Sequence, residues 1–187
     1  DLPRARSCCQ PDECGQSWVH QLGCCDETTD VGGENTIAYS DAAISLLLPK
    51  SWTGVARSEL PNPRSGAIVL AYRSPEVKYG FANNIVIMKD ALTSPLTSSK
   101  YSEVNHLQTT QNYLEYTKLR DESFTFSDSE PSRLYVFEAR YNETTPRMKF
   151  VQTARVCGMT VYLLHVSITL DKNPDNYAEL LRTFTCK

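Results

Sequence analysis

The sequence predicts an α+β domain: one mostly antiparallel sheet with helices packed on it. Three observations lead there. Strand-length apolar runs recur up to residue 89, a helical period follows Pro95, and three alternating runs between Leu134 and Leu170 form a meander closed by a capped amphipathic segment.

Taken in order, Thr36–Tyr39 and Ala43–Leu48 read as strands, the second ended by Pro49. Val55–Leu60 and Ala67–Tyr72 follow, separated by the breaker Pro61-Asn62-Pro63. Asn84–Lys89 is a fifth apolar strand. From Ser98 to about Leu119 the period is helical, with Ser98 or Ser99 as the expected cap. Tyr101, Val104, Leu107 and Leu114 share the face expected to be buried, and Glu103, Gln108, Asn112 and Lys118 the solvated one. Leu134–Tyr141 and Lys149–Val156 alternate in period two around the turn-rich loop 142–147, and Gly158 leads into Val161–Leu170. Asn173-Pro174 supplies an N-cap with proline at the first helical position, ahead of the stripe Tyr177, Leu180, Leu181 and Phe184.

Residues 1–35 show neither period and read as an irregular, cysteine-rich N-terminal tail, leaving 36–187 as the folded domain. Two arginines against seven carboxylates give the tail a charge of −5, and the remainder carries +2. With no cluster of Lys and Arg, nucleic acid is not the expected partner. No apolar run approaches the length of a membrane span and no secretory leader is visible; beginning at Asp1 rather than Met, the chain reads as a processed or trimmed form.

Five of the seven cysteines, Cys8, Cys9, Cys14, Cys24 and Cys25, crowd into the tail, while Cys157 and Cys186 lie far downstream. Such density points to an oxidising compartment or to a metal. Disulfides are the main reading. Zinc held by tail cysteines and His20 is the minor alternative, because adjacent cysteines do not readily chelate one ion, and unpaired thiols are a third. No metal or other cofactor is therefore expected. A Cys157–Cys186 bridge would pin the C-terminus to the sheet and contribute about 3–4 kcal/mol in the chain-entropy model; the alternative is two free thiols.

Enzyme motifs are missing. There is no Gly-x-Ser-x-Gly elbow, no phosphate-binding glycine loop and no Gly-x-Gly-x-x-Gly. His106 falls on the helix and His165 on a sheet strand, where it reads as a satisfied sheet histidine. Arg140, Lys149 and Arg155 fall on adjacent strands near Glu138: either an exposed, ion-paired face or a docking patch for an acidic partner. Asn142-Glu143-Thr144 is a formal N-glycosylation acceptor in a hairpin loop.

The order of these features resembles the PsbP-like superfamily. Residues 43–52 (AISLLLPKSW) resemble its opening strand, which runs into a proline and then a tryptophan. Asn84-Ile85-Val86-Ile87 resembles its asparagine-led strand, Leu92–Leu119 its long helix, and Lys149–Thr153 with Val161–His165 its late hairpin. Leu181–Phe184 resembles its closing helix. The similarity runs over about residues 38–186 and is nearest to uncharacterised bacterial exported PsbP-like proteins. The resemblance implies an α/β/α sandwich used for docking onto larger assemblies, as in photosystem subunits or a Ran-binding import factor, with no catalytic residues to carry over. The expectation is a non-enzymatic extracytoplasmic accessory protein with a protein partner, secreted, periplasmic or at the cell surface, with the thylakoid lumen as the alternative. A self-associating envelope or filament component, cross-linked through the tail, is the second expectation.

Overall fold

The computed structural model describes residues 30–31, 34–60, 63 and 66–187. The chain runs β1 (Asp30–Val31), β2 (Glu34–Ser40), β3 (Ile44–Pro49), β4 (Thr53–Gly54), β5 (Ala67–Lys78), β6 (Phe81–Ala91), α1 (Ser98–Asn112), β7 (Leu114–Thr125), β8 (Pro131–Arg140), β9 (Met148–Cys157), β10 (Thr160–Ile168), α2 (Pro174–Arg182) and β11 (Thr185–Cys186). A large sheet has the order β4-β5-β6-β10-β9-β8-β7, and a small one the order β1-β2-β3-β11. All the pairings are antiparallel. After β6, helix α1 carries the chain across to the far edge, and β7, β8, β9 and β10 meander back to β6.

Helix α1 covers one face of the large sheet, against β8 and β9. Helix α2 and the small sheet cover the other. The expected α/β/α sandwich is thus corrected to a more sheet-dominated one. The reason lies in β3, whose Ile44, Leu46 and Leu48 are buried while Ser45 and Leu47 are only partly so. A strand with one apolar face must lay it on something. Here it packs with Leu180, Leu181 and Phe184 onto Leu70, Ile85, Ile87, Val136, Val151, Leu164 and Val166 of the large sheet. Trp52 closes this core beside Tyr177, ring centroids 6.0 Å apart.

Two sequence expectations fail in the first part of the body. Val55–Leu60 is not a strand: Arg57–Glu59 form a single 3₁₀ turn, because the segment has no buried residue to alternate with. Helix α1 stops at Asn112, not near Leu119. The Tyr113 ring meets Phe137 and Phe150 edge-on, at 5.7 and 5.1 Å, and its backbone is already extended. Strand β7 starts at Leu114, and Glu115 within it takes φ 52°. That strand reads as helix in sequence because Leu114 and Leu119 continue a loose apolar spacing. Its pairing with β8 breaks register between Leu114 and Thr117 and again between Lys118 and Arg120.

The buried face of α1 also differs from expectation. Val104 and Leu107 are 41% and 59% exposed, whereas Ser98, Ser102, His106 and Thr109 are buried. The sheet beneath presents polar groups that need partners, and an apolar helix face would leave them unpaired. Past Gln152 the β8–β9 ladder ends, and hydroxyls take over its bonds. Ser102 Oγ donates to the Arg133 carbonyl at 2.8 Å, and Ser98 Oγ accepts from the Val156 amide at 2.9 Å. Ser132 Oγ donates to the Ala154 carbonyl at 2.8 Å, bridging the same gap from the other face. The cap is Thr97, whose hydroxyl accepts from the Lys100 amide at 3.1 Å, since Ser98 is occupied with the sheet. Helix α2 is capped as expected, by Asn173 ahead of Pro174.

Candidate functional site

Beneath α1 the two downstream histidines belong to one chain of hydrogen bonds centred on the buried Gln152 and His106, with His165 partly buried. Tyr116 hydroxyl meets His106 Nε2 at 2.7 Å, and His106 Nδ1 lies 3.5 Å from Gln152 Oε1. Gln152 Nε2 donates to His165 Nδ1 at 3.2 Å, and His165 Nε2 lies 3.4 Å from the Tyr113 hydroxyl. With Gln152 in this orientation His106 carries a proton on Nδ1, while His165 accepts on Nδ1 and is neutral, with its proton on Nε2. Burial lowers the pKa of each, His165 to about 4. His106 lies flat on Tyr135, centroids 3.8 Å apart. Among the described residues, neither imidazole bonds to a serine, threonine or cysteine; their partners are Tyr116, Tyr113 and Gln152. Over this layer a cleft of about 440 Å³ opens between α1 and the β7–β8 edge, lined by Glu103, Leu107, Lys118, Asp121, Arg133 and Tyr135 among others. Asp121 pairs with Arg133 and lies 3.8 Å from Lys118, so the cleft's charges are satisfied within the protein.

The end of the large sheet where β5 turns into β6 has a different surface. Tyr79 and Gly80 form a two-residue turn with φ of 54° and 76°, the geometry that suits strand twist. Glycine adopts it freely, whereas a tyrosine there is strained and is held 88% exposed. Val77 on the same hairpin, Leu170 after β10, Tyr141 after β8 and Leu114 at the start of β7 are exposed at this same end. A second cleft of about 430 Å³ runs between the Tyr79 turn, Arg147 and Met148, and Leu170 and Asp171. Its rim is ion-paired: Lys78 with Asp171 at 3.2 Å and Glu76 at 3.4 Å, Arg147 with Glu138 at 3.4 Å and Glu115 at 3.7 Å.

The three cations singled out in the sequence do not form one patch. Arg140 and Lys149 lie at the Tyr79 end. Arg140 sits 3.0 Å from Glu115, and Lys149 Nζ donates to the carbonyls of Leu170 and Lys172 at 2.9 and 3.1 Å. Arg155 lies six residues further along β9, about 20 Å away at strand rise. Its side chain is 9% exposed and bonds Asp128 at 2.6 Å. Glu138, taken as their companion, pairs with Arg147. Cys157 and Cys186 form a disulfide. Asn142 is exposed in the β8–β9 loop, where its Oδ1 accepts from the Thr144 hydroxyl at 2.8 Å and from the Thr144 and Thr145 amides at 3.0 Å. Cys8, Cys9, Cys14, Cys24 and Cys25, and with them the zinc alternative, lie outside the described residues, whereas Asp30, Val31, Glu34 and Asn35 at the end of the expected tail pair in β1 and β2. Among the described residues, no group of three or more His, Cys, Asp or Glu is placed to hold a metal ion. None of their helices is long and apolar enough to cross a membrane.

Sequence reasoning missed the Tyr79 turn and the Gln152 bridge. The first had a signal, a Tyr-Gly pair between two apolar runs. The second had a fainter one, uncharged polar residues at 98, 102, 106 and 109 on a single helical face.

No protein-family model matches the chain, and no curated protein matches it in sequence. Among solved structures it is similar to cyanobacterial PsbP (CyanoP) from Synechocystis sp. PCC 6803, with a TM-score of 0.58 and 12% identity over 81% of this chain and 92% of that one. A Pseudomonas aeruginosa protein of unknown function gives a TM-score of 0.47 and 11% identity over 72% of this chain and 83% of that one. A Bacteroides thetaiotaomicron VPI-5482 protein gives 0.41 and 10% over 77% of this chain, which spans only 45% of that one. The similarity to CyanoP makes the fold PsbP-like.

Proposed function

We propose that this chain is a non-enzymatic extracytoplasmic accessory module that docks onto a larger protein assembly through the Tyr79 end of its large sheet. The observation that carries this reading is the Tyr79 turn: a strained aromatic, 88% exposed, with Val77, Leu170, Tyr141 and Leu114 exposed at the same end. Rigid aromatics flanked by arginine are what anchor protein interfaces, and the ion-paired rim holds them in place before binding. His106 and His165 are engaged in bonds to Tyr116, Gln152 and Tyr113, which supports a binding role over catalysis. The disulfide supports an oxidising compartment, outside the cytoplasm or in a thylakoid lumen. Affinity purification of the full chain from native envelope or membrane extract tests the proposal. A stoichiometric complex that Tyr79→Asp abolishes is the expected result; a monomer with no partner, or a complex indifferent to Tyr79→Asp, sinks it.

One observation favours a second reading, self-association through the tail. With Cys157 and Cys186 joined, five of the seven cysteines remain, an odd number. At least one thiol in this sequence therefore lacks a partner within it. A ladder on non-reducing gels that collapses with reductant is the expected sign; a single monomer band removes the reading.

A further inference from the structure

The Cys157–Cys186 disulfide joins two chemically unequal sulfurs. Arg155 Nε donates to Cys186 Sγ at 3.3 Å. The same guanidinium lies over the Phe126 ring, 5.1 Å from its centroid, and is 9% exposed. Its counter-charge, Asp128, is engaged through the other end of the guanidinium, at Nη2. Cys186 therefore has a desolvated cation's N–H aimed at its sulfur. Cys157 instead packs against the apolar core and is followed by the exposed turn Gly158-Met159. A side chain built at Gly158 would meet nothing within 4 Å, so the space beside this turn is open.

We infer that this disulfide is an exchange-active link with a fixed polarity: an incoming thiolate attacks Cys157, and Cys186 departs as a thiolate held by Arg155. The bond that forms joins the incoming sulfur to Cys157 Sγ. The bond that breaks is Cys157–Cys186, and its electron pair goes to Cys186. With a dithiol as reductant, the second thiolate then attacks the reagent's own sulfur in the mixed disulfide. This releases Cys157, which takes a proton from water, and the dithiol ends as a cyclic disulfide two electrons poorer. Exchange runs fastest when the departing sulfur is the better-stabilised thiolate.

The link also latches a structural element. Strand β11 pairs Thr185 with Ser45 and Cys186 with Ile44. The Lys187 amide donates to the Ala43 carbonyl at 2.9 Å, and the Ser45 and Thr185 hydroxyls meet at 2.7 Å. Without the covalent tie this two-residue strand is held by noncovalent bonds alone, Lys187 Nζ to the Asp41 carbonyl among them, so reduction frees it to uncover the edge of β3.

The full chain is treated briefly with glutathione at neutral pH, quenched in acid, and its mixed disulfides are mapped by peptide mass. The adduct on Cys157 should exceed that on Cys186 about tenfold; an even split, the reverse order, or no exchange at either sulfur overturns the inference. Reduction by dithiothreitol should slow about three- to tenfold in Arg155→Met. An unchanged rate in a folded variant would count equally against it. Where Arg155→Met does not fold, Asp128→Asn decides. Freed of its counter-charge, the guanidinium should speed reduction about threefold, and a slower or unaltered rate refutes the assignment.

Discussion

The two faces of the large sheet are built by different chemistry. The α2 face is one continuous apolar cluster running from Ile44 to Phe184, with the Ser132 and Thr153 hydroxyls and the Arg155–Asp128 pair at its margin. The α1 face is split into two smaller clusters, with His106, Gln152 and the serines of α1 set among them. Hydrophobic burial scales with area and tolerates imperfect geometry, whereas a buried polar chain is stabilising only while every member is satisfied. Stability should therefore reside on the first face and sensitivity to conditions on the second.

The sharpest break of this comparison is Phe184→Ala. The side chain is fully buried between Phe126 and Tyr162, and its loss should cost about 3–5 kcal/mol in chemical denaturation. A loss below that of any α1-face truncation would invert the assignment. Acid is next. His165 is neutral in the folded state, with a pKa near 4 against an unfolded value of 6.5. Between those values the unfolded chain binds the extra proton, so stability is complete above 6.5 and falls as pH drops toward 4, by about 3 kcal/mol in all. His106, also lowered by burial, adds in the same direction. Denaturation midpoints across pH 4–7 should show this slope in the parent and in Phe184→Ala, and a flatter one in His165→Gln; equal slopes in all three would remove the histidines from the account.

Smaller effects refine the picture. Gln152→Ala strips a partner from both imidazoles and should cost about 1–3 kcal/mol, with hydrogen exchange rising in α1 before α2. Uniform exchange would mean that the bridge does not hold the helix. Leu107→Lys should change stability by no more than about 0.5 kcal/mol, because that side chain faces water. A loss of 2 kcal/mol or more, on the scale of a core truncation, would restore the face read from sequence.

What could be read in advance follows the same division. Where one element buries apolar residues at its own period, the sequence announced it: β3, the β8–β9–β10 meander and α2 all emerged close to their observed bounds. Their alternation is local, so neighbouring residues carry it. Helix α1 and β7 were misread because both take their faces from distant partners. Ser102 is buried because the Arg133 carbonyl needs a donor, and Gln152 because two histidines flank it from other elements. The cations of the supposed patch show the same limit. Strand parity put them on one face, but only the length of β9 and the position of Asp128 separate Arg155 from Lys149.

The outermost strands of the large sheet have one more consequence. On one side β7 breaks register twice and holds Glu115 at a positive φ; on the other, β4 covers only two residues of β5, itself interrupted by two register shifts and Pro75. Neither border offers a long, straight row of amides to a neighbouring copy. The large sheet is thus a poor template for zipping copies side by side into endless ribbons. An arrangement built on these two borders has to be made by side chains rather than by continuing the backbone ladder.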